Sequence, residues 1–243
     1  MATELCAYSV AACRMAAAEG VDRVELCASP AEGGTTPSAA AIAMAREVEG
    51  LSLSVMIRPR GGDFLYTGDE YEQMLRDILF ARRAGADGVV LGLLTADGEV
   101  DTLRTKALVE AAAPMQVTFH RAVDMTCDYL HAVEQIISCG CRRILTSGGA
   151  ATAAEGIDNL RRAVETARGR IEIMAGSGVN PSNVGVLAST GIDALHFSAR
   201  RTVAGAMRYR HNGVNMGAAA DEYAITEADP ATIRAIMNEI NGL

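Results

Sequence analysis

The chain contains no tryptophan, and aromatic residues make up only 4% of it. That leaves few platforms on which nucleic-acid bases could stack. Positive charge is also short: 22 Lys and Arg face 30 Asp and Glu, for a net charge of −8. A nucleic-acid binder usually carries a basic footprint, so that class is excluded. No apolar run approaches the ~18 residues of a membrane span, because charges or glycines interrupt each one. No basic segment leads into an apolar one ahead of Glu4-Leu5-Cys6, so no secretory leader is expected. The expectation is a cytoplasmic protein without a membrane partner.

Disulfide and metal frameworks are missing too. The six cysteines, Cys6, Cys13, Cys27, Cys127, Cys139 and Cys141, form no CxxC pair and no regular spacing. A chain of 243 residues, 49% hydrophobic, has core enough without disulfides, so reduced thiols are expected. The first strand-like run is followed by Ser9-Val10-Ala11-Ala12. The glycine-rich fingerprint of an open dinucleotide-binding sheet is therefore absent.

What is present is a repeated alternation. Glu25 and Cys27 alternate with Val24 and Leu26, Thr118 and His120 with Val117 and Phe119, and His196 and Ser198 with Leu195 and Phe197. Side chains of a strand point alternately to opposite faces, so each run aims chemistry one way and apolar surface the other. Strands are expected over residues 4–9, 23–28, 53–59, 88–94, 115–124, 142–147, 171–175 and 194–198, with helix-like segments between them. Strands alternating with helices predict a parallel sheet covered by helices. The length suits one closed barrel, which needs about 250 residues. The fold expected is therefore α/β, a single TIM-type (β/α)8 barrel domain over residues 1–243. Residues 200–220 read as a long loop, and a terminal helix is expected over about 230–240. Long loops of this kind are usually functional or lie in an interface.

In such a barrel the active site sits at the C-terminal ends of the strands. Parity puts Glu4, Cys6, Glu25, Cys27, Arg58, His120, His196 and Ser198 inward, with Arg60 and Asp124 just beyond their strands. A lone inward Glu or Arg can simply complete a buried ion pair. Two Glu, two Arg and two His converging on one rim exceed that structural need. Cys6 and Cys27 occupy matching places in neighbouring strands, and two thiols without a four-ligand set suit Cu(I) better than Zn²⁺. His120 with Glu25 or Asp124 could form an acid–base pair, or His120 could serve only the barrel's hydrogen bonding. Gly176, Ser177 and Gly178 follow the seventh strand and Arg200 the eighth, where this fold commonly binds phosphate. Cys139-Gly140-Cys141 lies in a helix-to-strand loop at the opposite end and reads as structural.

Five stretches carry a resemblance. They are Arg23-Val24-Glu25-Leu26-Cys27, Glu32-Gly33-Gly34-Thr35-Thr36-Pro37-Ser38, Ile57-Arg58-Pro59-Arg60-Gly61-Gly62-Asp63-Phe64, Val117-Thr118-Phe119-His120-Arg121-Ala122 and Leu145-Thr146-Ser147-Gly148. Together with Met207-Arg208-Tyr209-Arg210 and Asp221-Glu222-Tyr223 they resemble the CutC copper homeostasis family over nearly the whole chain. The resemblance implies a cytoplasmic barrel, often a homodimer, with a role in copper tolerance or trafficking. It also implies that Cys6 and Cys27 match the thiols proposed to bind Cu(I) in some members, and that Glu25, Arg58, His120 and His196 match a polar rim. Ala7 stands where some members carry a further cysteine, which argues against a three-thiol site here.

Two functions follow as expectations. In one, Cys6 and Cys27 capture Cu(I) near the barrel mouth. In the other, the barrel is an enzyme acting on a small anionic or phosphorylated metabolite, with Arg58 and Arg60 clamping the anion and Glu25 and His120 exchanging protons. A dimer contact through residues 207–223 is compatible with either.

Overall fold

The eight apolar–polar strands close on one another in the computed structural model, which describes residues 1–211, 213, 214, 216 and 221–243. They are β1 (Ala2–Ala7), β2 (Arg23–Leu26), β3 (Ser52–Met56), β4 (Gly88–Leu91), β5 (Gln116–Phe119), β6 (Arg143–Thr146), β7 (Glu172–Gly176) and β8 (Ala194–Phe197). Each pairs in parallel with its sequence neighbour, and β8 returns to β1, so the barrel has no edge. Helices α1 (Val10–Ala18), α2 (Ala39–Arg46), α3 (Gly68–Arg83), α4 (Thr102–Ala112), α5 (Tyr129–Ser138), α6 (Ile157–Ala167) and α7 (Val184–Ala188) fill the crossovers. Helix α8 (Pro230–Asn241) ends the chain. This is a TIM-type (β/α)8 barrel.

The two faces of each strand divide as the alternation predicts. Val24, Leu26, Val55, Val89, Leu91, Phe119, Ile144, Ile173 and Leu195 are buried in the apolar shell between strands and helices. The opposite face fills the interior, where Cys6, Cys27, Met56 and Val90 form one small apolar cluster and Leu145, Met174 and Ala194 another. Helix starts are written locally. Ser9 and Ser38 accept hydrogen bonds from Ala12 and Ala41 N–H, and Thr67 with Glu70 forms a reciprocal capping box on α3.

Two expectations change. The fifth strand stops at Phe119, and His120 instead caps a short 3-10 helix, Arg121–Met125. Asp124 therefore leaves the strand. The loop expected over 200–220 begins with a strand, β9 (Arg200–Ala204), which pairs antiparallel with β10 (Ala224–Ala228). This ribbon buries little on either face, so it carries no apolar alternation to read. Arg201 instead ties it together through ion pairs to Glu227 and Asp229. Positions 212, 215 and 217–220 of that stretch lie outside the described residues. Among the described residues, no helix is long and apolar enough to cross a membrane.

Candidate functional site

Strand parity delivers three chemical groups to the barrel mouth from the β1, β2 and β8 side. Register pairs Cys6 with Glu25 across β1 and β2, and Glu4 with His196 across β1 and β8. The ligand atoms of Cys6, Glu25 and His196 all lie within 4.8 Å of one another. Cys27 sits just past β2, yet its Sγ is 3.9 Å from that of Cys6 and its thiol reaches Glu25 Oε2 at 3.4 Å. The two cysteines are thus diagonal neighbours. His196 hydrogen-bonds Glu4 Oε1 through Nδ1 at 2.9 Å and faces Glu25 Oε2 with Nε2 at 3.8 Å.

Burial sets the charges of this cluster. Burial, then the negative charge of Cys6, holds the Glu25 carboxyl well above its usual range. Its Oε1 is buried without a hydrogen-bond partner. The hydrogen bond with Cys27, followed by contact with His196, pushes the Cys6 thiol well down, whereas burial and Cys6 push Cys27 up. Of the two thiols, Cys6 is therefore the one that loses its proton more readily. Burial opposes a charge on His196, but Glu25, Cys6 and Glu4 together outweigh it and raise the imidazole.

His120 enters from the β5 side. Its Nδ1 accepts the Ala122 N–H at 3.2 Å, while Nε2 is buried without a partner. Burial, then the Arg58 charge, lowers its pKa to about 3, so the ring is uncharged at neutral pH. Phe64 packs against it with ring centroids 5.0 Å apart. Gly92 makes this position possible, since a Cβ there would fall 2.4 Å from His120 Nδ1.

The arginines divide. Arg58 lines the mouth but spends its fork on backbone carbonyls, those of Glu32, Gly34 and Gly62 at 2.6–2.9 Å. It fastens the loops after β2 and β3. Arg60 turns outward to Glu70 and Asp63 and over the Tyr66 ring, away from the cavity. Its ion pairs with Glu70 and Asp63 hold it outward. Asp124 binds Thr146, Ser147, Gly149 and Arg121 and is likewise absent from the cavity wall. Neither residue joins the cluster that strand parity predicts.

The cavity enclosed here is about 280 Å³ and is lined by Cys6, Glu25, Arg58, His120, Ser177, Gly178, His196, Ser198 and Arg200 among others. Gly176 lies at the end of β7, where a Cβ would strike Leu145 at 2.6 Å. Tyr8, Met56, Phe64, Arg121 and Leu145 also line the wall and were missed by the sequence reading. Tyr8 continues the Glu4, Cys6 parity and could have been found that way. Arg121 could not, because only the early end of β5 turns it inward. Cys139 and Cys141 are buried and far from this cluster in sequence order, at the α5 to β6 turn.

Comparison with known proteins agrees with the architecture. The CutC family matches residues 1–201. The family protein CutC of Chromobacterium violaceum is 50% identical over 240 residues, covering 98% of this chain and 97% of its own length. That of Bacteroides thetaiotaomicron is 49% identical over 244 residues, covering 99% and 97%. A crystal structure from Streptococcus agalactiae, carrying the name of a copper homeostasis protein CutC, superposes with a TM-score of 0.77 at 36% identity. It covers 82% of this chain and 98% of that one. A thiamine phosphate pyrophosphorylase from Pyrococcus furiosus, at 15% identity and a TM-score of 0.60, shares the fold alone.

Proposed function

This chain belongs to the CutC family, and on that premise we propose that it serves copper homeostasis by capturing Cu(I) between Cys6 and Cys27. The observation that carries this reading is the 3.9 Å separation of the two sulfurs at the base of the barrel mouth. Soft thiolates select a soft monovalent ion over the harder divalent cations. Metal–thiolate bonds of about 2.3 Å would span that gap with the ion bent out of line. A bent ion leaves room for a third ligand, and the imidazole of His196 lies within 4.8 Å of Cys6. Copper is cargo in this scheme, taken up and passed on.

The arginines do not oppose a cation here as strongly as their number suggests. Arg58 is occupied by three loop carbonyls, and Arg60 faces solvent and its own carboxylates. Glu25 and Glu4 supply compensating carboxyls beside the sulfurs. Both thiols are buried, which slows competing oxidation.

Anaerobic titration with Cu(I) against a competing chelator tests the reading. The wild-type protein is expected to retain one equivalent, and the Cys6→Ser, Cys27→Ser double variant none. Equal retention by the two proteins refutes the thiol-pair site.

A further inference from the structure

We propose that the same barrel mouth holds a second kind of ligand, a small organic oxyanion, received by the His120 Nε2–H from below and by Arg121 and Arg200 at the rim. This goes beyond copper capture and uses different residues.

The first support is an unused donor. His120 is only 4% exposed, and its Nδ1 is already an acceptor for Ala122 N–H. The ring proton therefore sits on Nε2, which is buried and lacks a protein partner among the described residues, and His120 is one of the residues lining the cavity. A buried donor left unmade is costly, so native proteins rarely keep one without a ligand or water to satisfy it. The ring stays uncharged at neutral pH, which keeps Nε2 a donor of fixed direction. Phe64 on its flank and Gly92 beneath it hold it there.

The second support is charge. Three guanidinium groups, Arg58, Arg121 and Arg200, line the cavity against one carboxyl, Glu25. Arg121 is braced by Asp124 at 2.8 Å and by Ser147 at 2.9 Å. Its Nη1 has no protein partner among the described residues. Arg200 rests over the Tyr8 ring, 5.6 Å from its centroid, with one long bond to Pro30 O. Arg200 thus keeps most of its fork open, whereas Arg121, paired with Asp124 and also bonded to Ala150 O at 3.4 Å, keeps only Nη1 for a ligand. A planar guanidinium suits carboxylate or phosphate equally.

The third support is size. A cavity of about 280 Å³ lies just below the ~300 Å³ at which metabolite sites usually start. It is far more room than a bare ion needs. Met56, Phe64 and Leu145 give it an apolar wall, which suits a short carbon skeleton between the polar groups.

Calorimetric titration of the wild-type protein with inorganic phosphate, glycerol 3-phosphate and lactate separates the two oxyanion chemistries. At least one organic probe is expected to bind saturably, one per chain, and to shift the ¹⁵N resonance of His120 Nε2. His120→Ala and Arg200→Ala should each weaken that binding by roughly tenfold or more, the scale of one charge-assisted hydrogen bond. His120→Gln, which keeps an N–H donor, should recover most of it. The titrations are run on copper-free protein, so failure of the copper reading leaves this one standing. Absence of saturable binding by both organic probes overturns the proposal, whether or not inorganic phosphate binds, as does unchanged binding in both single variants. Arg200 is exposed, so its variant remains informative if His120→Ala does not fold.

Discussion

The two ends of the barrel interior treat buried polar groups in opposite ways. Near the N-terminal ends of the strands, Arg143 makes bonds of 2.8 and 3.0 Å to Glu172 and a 3.0 Å bond to Thr118. Arg23 joins Glu172 at 3.0 Å to Glu4 at 3.3 Å. Burial disfavours the Glu172 charge, but these arginines hold its pKa below the usual range. Every charge there has a partner of opposite sign. At the C-terminal mouth, Glu25 Oε1, His120 Nε2 and Arg58 Nε are buried and have no partner among the described residues. Satisfied polar groups at one end stabilise the barrel, whereas the other end gathers its polar groups where this fold places active sites. Glu4 links the two, with one oxygen on Arg23 and the other on His196.

Breaking the paired end should have the largest effect. Arg143→Ala leaves Glu172 with Arg23 as its one remaining charged partner and is expected to cost about 3 kcal/mol in urea unfolding, the low end of the penalty for breaking a buried pair. A loss below about 1 kcal/mol would mean that the network is not a stability device.

The unpaired end should reveal itself through pH. The folded pKa of His120, about 3, lies below the ~6.5 of an unfolded histidine. As pH falls from about 6.5, the unfolded chain takes up a proton that the folded one refuses. Stability is therefore lost by about 1.4 kcal/mol per pH unit. Glu25 acts with the opposite sign: its raised folded pKa gives stability at low pH that is lost as pH rises above about 4.5. Only the difference between wild type and His120→Gln isolates the first contribution. Parallel stability curves for the two proteins between about pH 4.5 and 6.5 would contradict a buried, uncharged His120.

Gly92→Ala sharpens the contrast at one atom. The added methyl would overlap His120 Nδ1, so the ring must move, at a cost of roughly 1–3 kcal/mol. Its ¹⁵N resonances should shift while the Arg143 network stays intact. The smallest effect belongs to a charge pair outside both ends. Arg76 and Glu72 form an exposed i,i+4 bridge on α3, and Arg76→Ala is expected to change stability by about 0.3–0.5 kcal/mol. A larger value would show that surface pairs matter here as much as interior ones.

Much of the mouth was legible before folding because parity is a local property. Cys6, Glu25, His120 and His196 each alternate with apolar neighbours, and all four reach the cavity. Arg60 and Asp124 were not legible. Both follow the last strand residue, where alternation no longer dictates direction, and local partners (Glu70 for one, Ser147 for the other) turn them away. The ribbon of β9 and β10 escaped for a related reason. Exposed on both faces, it has no buried side to imprint on the residues.

The amino-acid order alone determined the period of each strand, the caps of the helices and hence the barrel, because these depend on neighbours within a few positions. It also chose which side chains enter the interior. Which of them find partners was decided only when the sheet closed, bringing Arg143 to Glu172 and Cys6 to Cys27 across adjacent strands. Glu25 and His120 were left wanting by that same closure, since satisfying a buried group requires a partner within about 3 Å, and only the assembled barrel sets such distances.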